Sequence, residues 1–167
     1  YQMIYIGTSG YSYMDWVGPF YPEGMKNHDF IAFYAKHFPA LEINATYSRL
    51  PDEHMFISML QRTENKIRFT VKCHESITHH PKFDHQKIEI FIRALRPLKS
   101  ADRLGCVLFQ FPYAFLPTLE NKAHLKKLRE EFKYFPISVE FRNPRWARDK
   151  AVGELFRQID AGFCLTD

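Results

Sequence analysis

Phe69-Thr70-Val71-Lys72-Cys73-His74 alternates apolar and polar residues with a period of two. The same alternation runs through Leu41-Glu42-Ile43-Asn44-Ala45-Thr46 and Ile137-Ser138-Val139-Glu140-Phe141-Arg142. Successive side chains of a strand point to opposite faces, so each segment has one apolar face and one charged or polar face. Between these segments the apolar period changes to that of a helix. Phe30, Phe33, Tyr34, His37 and Phe38 recur at helical spacing, with Pro39 as the stop. Pro51-Asp52 opens a helix carrying Phe56, Met59 and Leu60. Ile88, Phe91, Ile92 and Leu95 predict a third helix, disturbed at Pro97 and ended by Gly105. Thr118 is placed to cap a helix bearing Leu125, Leu128 and Phe132. Val152, Leu155, Phe156 and Ile159 predict a fifth, with Gly162 as its C-terminal glycine.

The strands read from this pattern are Met3 to Gly7, Leu41 to Tyr47, Ile67 to His74, Cys106 to Phe111, Ile137 to Phe141 and Phe163 to Asp167. Strict strand–helix alternation implies parallel strands joined by right-handed crossovers. A doubly wound open sheet and a β/α barrel both satisfy that order. Strands covered by helices on both faces should be apolar at nearly every position. These carry charge on one face, which fits a barrel whose interior differs from its helical coat. The expected fold is therefore a parallel α/β barrel of TIM type, a single domain over residues 1–167. It comprises the first five βα units and a sixth strand. Six strands do not close a standard eight-strand barrel, so a truncated barrel lacking its C-terminal third is expected.

Length and composition agree with one globular domain. Of 167 residues, 46% are hydrophobic and 25% charged. The net charge of +4 is too diffuse for a dedicated nucleic-acid stripe. Cys73, Cys106 and Cys164 are odd in number and form no CxxC pair, so they read as buried thiols in a reducing compartment. No apolar run approaches the roughly 20 residues of a membrane span, and Tyr1-Gln2-Met3-Ile4 is not a secretory leader. A cytoplasmic protein with no membrane partner is the expectation.

Several strings occur in the order and spacing of a known family. They are Gly7-Thr8-Ser9-Gly10-Tyr11-Ser12-Tyr13 with Asp15-Trp16-Val17-Gly18-Pro19-Phe20-Tyr21-Pro22, and Glu42-Ile43-Asn44-Ala45-Thr46-Tyr47 with Arg49-Leu50-Pro51. Phe69-Thr70-Val71-Lys72, Ile77-Thr78-His79 and Leu108-Phe109-Gln110-Phe111-Pro112 follow, then Val139-Glu140-Phe141-Arg142 with Trp146, and Asp167. Together they resemble the YecE-like family (domain of unknown function 72) across the whole chain. Tyr11 stands where tryptophan is common in that family, and Ala45 where serine is common. The resemblance implies a TIM-type barrel, longer than this chain, whose final third adds residues to the mouth. It does not indicate which reaction is performed or which cofactor is used.

Function in such barrels gathers at the C-terminal ends of the strands. Glu42, Lys72, Glu140 and Asp167 are the candidate catalytic residues there. Ser9, Tyr11, Trp16, Asn44, Tyr47, Arg49, His79, Gln110, Arg142 and Trp146 are the candidate substrate-binding residues. Glu42 and Lys72 stand at similar depth on neighbouring strands. They could form an interior ion pair or a lysine of altered reactivity held beside a carboxylate. Glu140 and Arg142 face the same way, as an ion pair or as an Arg fork for an anion. Glu42 and Glu140 also suit a glycosidase pair, for which roughly 5 Å means retention and 6.5–9.5 Å inversion. His74, His79, His80 and His85 cluster without HxH or HExxH spacing, so no metal site is assigned. The aromatic loop from Tyr11 to Tyr21 could stack on a ligand or pack as a lid on its own barrel. Lys122, Lys126, Lys127 and Arg129 read as a solvated helix face. The set favours acid–base chemistry on a polar, anionic or sugar-like small molecule at the mouth. A nucleic-acid-binding or processing barrel and a noncatalytic interaction protein are the competing classes.

Overall fold

The computed structural model describes residues 3–80 and 82–166. Six strands form one sheet in sequence order, β1 Gly7–Ser9, β2 Ala40–Ile43, β3 Arg68–Lys72, β4 Leu104–Phe111, β5 Ile137–Phe141 and β6 Gly162–Cys164. Every neighbouring pair is parallel. Helices separate them: α1 Asn27–Tyr34, α2 Glu53–Arg62, α3 Glu75–Thr78, α4 His85–Ser100, α5 Leu119–Glu131, α6 Arg145–Arg148 and α7 Val152–Ile159. The result is an α/β half-barrel, as the alternation in the strands requires.

The core lies between the outer face of the sheet and the helices. Leu41, Ile43, Phe69, Val71, Val107, Phe109, Ile137 and Val139 are the outward residues of β2–β5, and all are buried. Phe56 and Leu60 of α2, Ile88, Phe91, Leu95 and Leu98 of α4, and Leu125 and Leu128 of α5 close over them. Each of these helices starts where a side chain takes up a free N–H. Asp52 accepts from Met55 N at 2.9 Å, Asp84 from Lys87 N at 3.1 Å, and Thr118 from Asn121 N at 3.2 Å.

Five details depart from the sequence pattern. The second strand stops at Ile43, and Ala45–Tyr47 is a 3₁₀ turn. The third strand ends at Lys72, because His74 caps α3. Helix α4 runs through Pro97 to Ser100, and Gly105 lies inside β4. Helix α7 ends on Asp160 in the left-handed conformation (φ 45°), while Gly162 opens β6. The aspartate tolerates that conformation because its short polar side chain does so better than most. Finally, β1 is Gly7–Ser9 rather than Met3 to Gly7, and Met3, Ile4 and Ile6 are exposed before it.

The basic run on α5 is only partly a solvated face. Lys122 pairs with Asp149, and Arg129 Nη1 donates to the Phe135 carbonyl at 2.8 Å. These two contacts tie α5 to the turn before α7 and to the strand entry at Phe135. No helix among the described residues is long and apolar enough to cross a membrane.

Candidate functional site

The register of the strands decides which polar residues meet. Ser9 stands opposite Glu42, Glu42 opposite Thr70, and Thr70 opposite Cys106. Lys72 stands opposite Leu108, and Gln110, Glu140 and Cys164 form a further row. All of these lie on the inner face. Glu42 is therefore level with Thr70 and not with Lys72, so the two do not pair as their depth in the sequence suggested.

Three clusters result. The first spans β1 and β2. Gly10, at φ 78°, turns the chain out of β1, and its N–H bonds to the Glu42 carbonyl at 2.9 Å. Ser9 Oγ donates to Glu42 Oε1 at 2.8 Å and accepts from Asn44 Nδ2 at 2.6 Å. The Tyr13 hydroxyl donates to the Ser9 carbonyl at 2.7 Å.

The second cluster sits above β3. The Lys72 ammonium lies 4.7 Å from the centre of the Tyr47 ring. No carboxylate among the described residues forms an ion pair with it. Such a contact favours the cation without neutralising it. The Tyr47 hydroxyl is 3.2 Å from His79 Nε2, and His79 Nδ1 is 2.8 Å from Thr78 Oγ1. Burial holds the His79 imidazole below its ordinary pKa, and the nearby Lys72 charge acts in the same direction. Thr46 fixes this arm from beneath, donating to the Lys72 carbonyl at 2.6 Å.

The third cluster spans β4–β6. Glu140 is 5% exposed and accepts at Oε1 from Gln110 Nε2 at 2.6 Å and from Arg142 Nε at 2.8 Å. The Cys164 thiol approaches Oε2 at 4.0 Å. Burial and the Glu140 carboxylate push that thiol up, so it stays protonated at neutral pH. Arg142 and Glu140 thus form the ion pair through Nε, and the two Arg142 Nη groups have no hydrogen-bond partner among the described residues.

Other candidates fall outside these clusters. Trp146 packs in the core: it is fully buried, stacked on Phe141 at 4.0 Å, and donates Nε1–H to the Phe115 carbonyl at 2.7 Å. Trp16 packs against Tyr13, Phe20 and Tyr21 of its own loop, and Phe20 and Tyr21 in turn pack on Phe33 and Phe30 of α1. Tyr11 packs near Tyr34 and also borders a cavity with Tyr13, Glu42 and Asn44. Arg49 is exposed beyond the 3₁₀ turn. Asp167 lies outside the described residues. Thr70, Cys106 and Cys164 line the interior although none is a site candidate from the sequence, and Cys106 and Cys164, expected as buried thiols, are only partly buried. Counting every second residue along β3, β4 and β6 would have found them.

His74 gives this region a pH dependence. Its Nδ1 accepts from Ser76 N at 3.1 Å, which requires an unprotonated nitrogen. Burial lowers its pKa, with Glu75 opposing and Lys87 reinforcing the shift. In the unfolded chain a histidine titrates near ~6.5. Below that pH the unfolded state binds the proton first, so the contribution is fully present above about 6.5 and is lost as pH falls toward the folded value. The melting temperature is expected to fall as the pH drops below about 6.5. His74→Asn, whose amide oxygen can cap without titrating, should flatten that slope; an unaltered slope would exclude His74 as its source.

The geometry agrees with relatives found by comparison. The family described as "Protein of unknown function DUF72" matches residues 5–167. The chain belongs to the DUF72 family. The UPF0759 protein YunF of Bacillus subtilis (strain 168) is 29% identical over 150 residues, which are 86% of this DUF72 chain and 52% of YunF. The UPF0759 protein YecE of Escherichia coli (strain K12) is 31% identical over 150 residues, with 86% and 50% covered. The chain thus spans about half the length of the curated relatives it matches. The crystal structure of a DUF72 family protein from Thermotoga maritima MSB8 superposes with a TM-score of 0.84 at 34% identity, covering 99% of this chain and 65% of that one. A second DUF72 structure, from Enterococcus faecalis V583, gives 0.77 at 25% identity, covering 82% and 58%.

Proposed function

We propose that the C-terminal mouth of the half-barrel binds a polar, anionic small molecule and performs acid–base chemistry on it. The observation that carries this is the Lys72 ammonium, set at the end of an inner strand over Tyr47 with no carboxylate ion pair among the described residues. A cation left without a counter-charge in a partly buried mouth favours an anion from outside the chain. Glu42, one strand away, is the base, oriented by the hydroxyl of Ser9. Arg142 offers a second anion contact, held in place through its Nε by Glu140.

The reading is tested by thermal shift against a library of small organic acids and phosphates. A ligand present at a hundred times its Kd stabilises the fold by about 2.7 kcal/mol. Lys72→Met is expected to remove the stabilisation by any hit, and Glu42→Gln to weaken it, with far-UV circular dichroism unchanged in both. Hits that survive both substitutions would place the site elsewhere.

A further inference from the structure

A cavity at the ends of β5 and β6 has a cation in its own wall. It encloses about 220 Å³, and Phe141, Arg142, Trp146, Ala147 and Phe163 are among its lining residues. The aromatic side is built from the strand ends. Phe141 stacks on the buried Trp146 at 4.0 Å, and Phe163 of β6 stands 6.1 Å from Phe141, inclined by 57°. Phe163 is 38% exposed, so part of its ring is left uncovered.

The polar side reduces to one group. Asn143 also lines the cavity, but both ends of its amide are engaged. Its Nδ2 donates to the Tyr113 carbonyl at 2.6 Å, and its Oδ1 accepts from Arg145 N at 3.0 Å. Arg142 is the one charged residue in the lining, and no carboxylate of the described residues shares that wall. Glu140 takes its Nε at 2.8 Å and so orients the planar guanidinium. The edge formed by the two Nη groups matches the two oxygens of a carboxylate. Glu140 already balances one positive charge, so a second negative charge on a ligand would find no further cation in the lining. A monoanion therefore suits the cavity better than a phosphate dianion.

Size and wall chemistry set the body of the ligand. An apolar cavity of roughly 150 Å³ holds benzene, so this one has room for a single ring carrying a carboxylate. An aromatic ring gains from offset or edge-to-face contact with Phe141 and Phe163. We infer that this cavity binds a small aromatic monocarboxylate of about the size of benzoate, with its carboxylate on the Arg142 Nη edge and its ring against Phe163. The site extends the Arg142 contact of the mouth and depends on neither Lys72 nor Glu42.

NMR titration of the isotope-labelled chain would use benzoate, benzamide, acetate, cyclohexanecarboxylate and phenyl phosphate. Benzoate should bind about tenfold tighter than benzamide, which lacks the charge, and than acetate, which lacks the ring. It should also bind tighter than cyclohexanecarboxylate and phenyl phosphate, and shift the amides of Ala147 and Phe163. Arg142→Lys keeps a cation beside Glu140 but loses the fork, and should weaken benzoate about tenfold. Ala147→Trp, at an exposed position of α6, should fill the cavity and abolish binding with Arg142 intact, and it serves if the Arg142 variant fails to fold. Lys72→Met should leave the benzoate Kd unchanged, so an acid that survives Lys72→Met and is lost in Ala147→Trp belongs to this cavity and not to the Lys72 site. Phenyl phosphate binding as tightly as benzoate would overturn the monocarboxylate, and cyclohexanecarboxylate doing so would overturn the aromatic ring. No benzoate binding, or binding that persists in Ala147→Trp, would overturn the site. Binding lost in Lys72→Met would also overturn it, while supporting the Lys72 reading.

Discussion

Trp146→Ala is expected to lower the free energy of unfolding by about 3–5 kcal/mol, the range for truncating a buried aromatic residue. Three losses combine at this position. The indole stacks on Phe141 at 4.0 Å with an interplanar angle of 3° and faces Phe115 at 5.7 Å. Phe141 is the last residue of β5, and Phe115 belongs to the loop between β4 and α5, so removing the indole opens a cavity between two mouth segments. The Phe115 carbonyl also loses the Nε1–H donor at 2.7 Å. Trp146→Phe keeps most of the apolar volume and loses part of the ring together with the N–H, so it should cost less, about 1–3 kcal/mol. Urea denaturation of both variants measures the difference. Equal small losses in the two would mean that the stack carries little of the stability and that the position could be a surface one after all.

Trp146 also shows why the sequence located the fold better than the site. The alternation Phe69-Thr70-Val71-Lys72 states directly which face packs on helices, because burial repeats every second residue. Nothing comparable distinguishes a tryptophan under a loop from one at its surface, since both follow a strand end and both can be aromatic for good reason. Strand ends were harder to read than strand centres. Thr46 continues the alternation of β2, yet its hydroxyl bonds to the Lys72 and Ile43 carbonyls and the backbone closes a 3₁₀ turn from Asn44 to Tyr47. Threonine competes for backbone acceptors in this way wherever a strand stops. Gly105 and Gly162 misled for the opposite reason. Each is a helix-ending residue by propensity, yet Gly105 lies inside β4 and Gly162 opens β6.

The pairing of charges was the least legible feature. Parallel strands are joined through helices, so no turn fixes their register as a hairpin loop does. The sequence pattern alone places Glu42 and Lys72 at similar depth on neighbouring strands, but the ladder sets Ala40 against Arg68 and so puts Glu42 beside Thr70. Glu140 and Arg142 escape this problem, because residues two apart on one strand face the same way whatever the register. Their ion pair could be anticipated, and its energetic weight follows from the structure.

Arg142→Ala is expected to cost about 2–4 kcal/mol. The buried Glu140 carboxylate would keep Gln110 as its hydrogen-bonded neighbour, with the Cys164 thiol at the limit of contact, and lose its counter-charge. Breaking one partner of a buried pair costs about 3–5 kcal/mol. Here the figure is reduced, because the Arg142 side chain is about half exposed and water screens that end. Removing both charges should cost less than removing the arginine alone: Glu140→Leu with Arg142→Leu leaves no uncompensated carboxylate, and apolar replacement of a buried pair is often close to neutral. A double-mutant cycle in urea would resolve the coupling. If the double variant were as unstable as Arg142→Ala, the cost would lie in the lost guanidinium packing rather than in the charge. A strong coupling would instead mean that β5 holds Arg142 by a buried counter-charge, so that its Nη groups reach the mouth at a fixed position, which is the geometry an anion clamp on this strand requires.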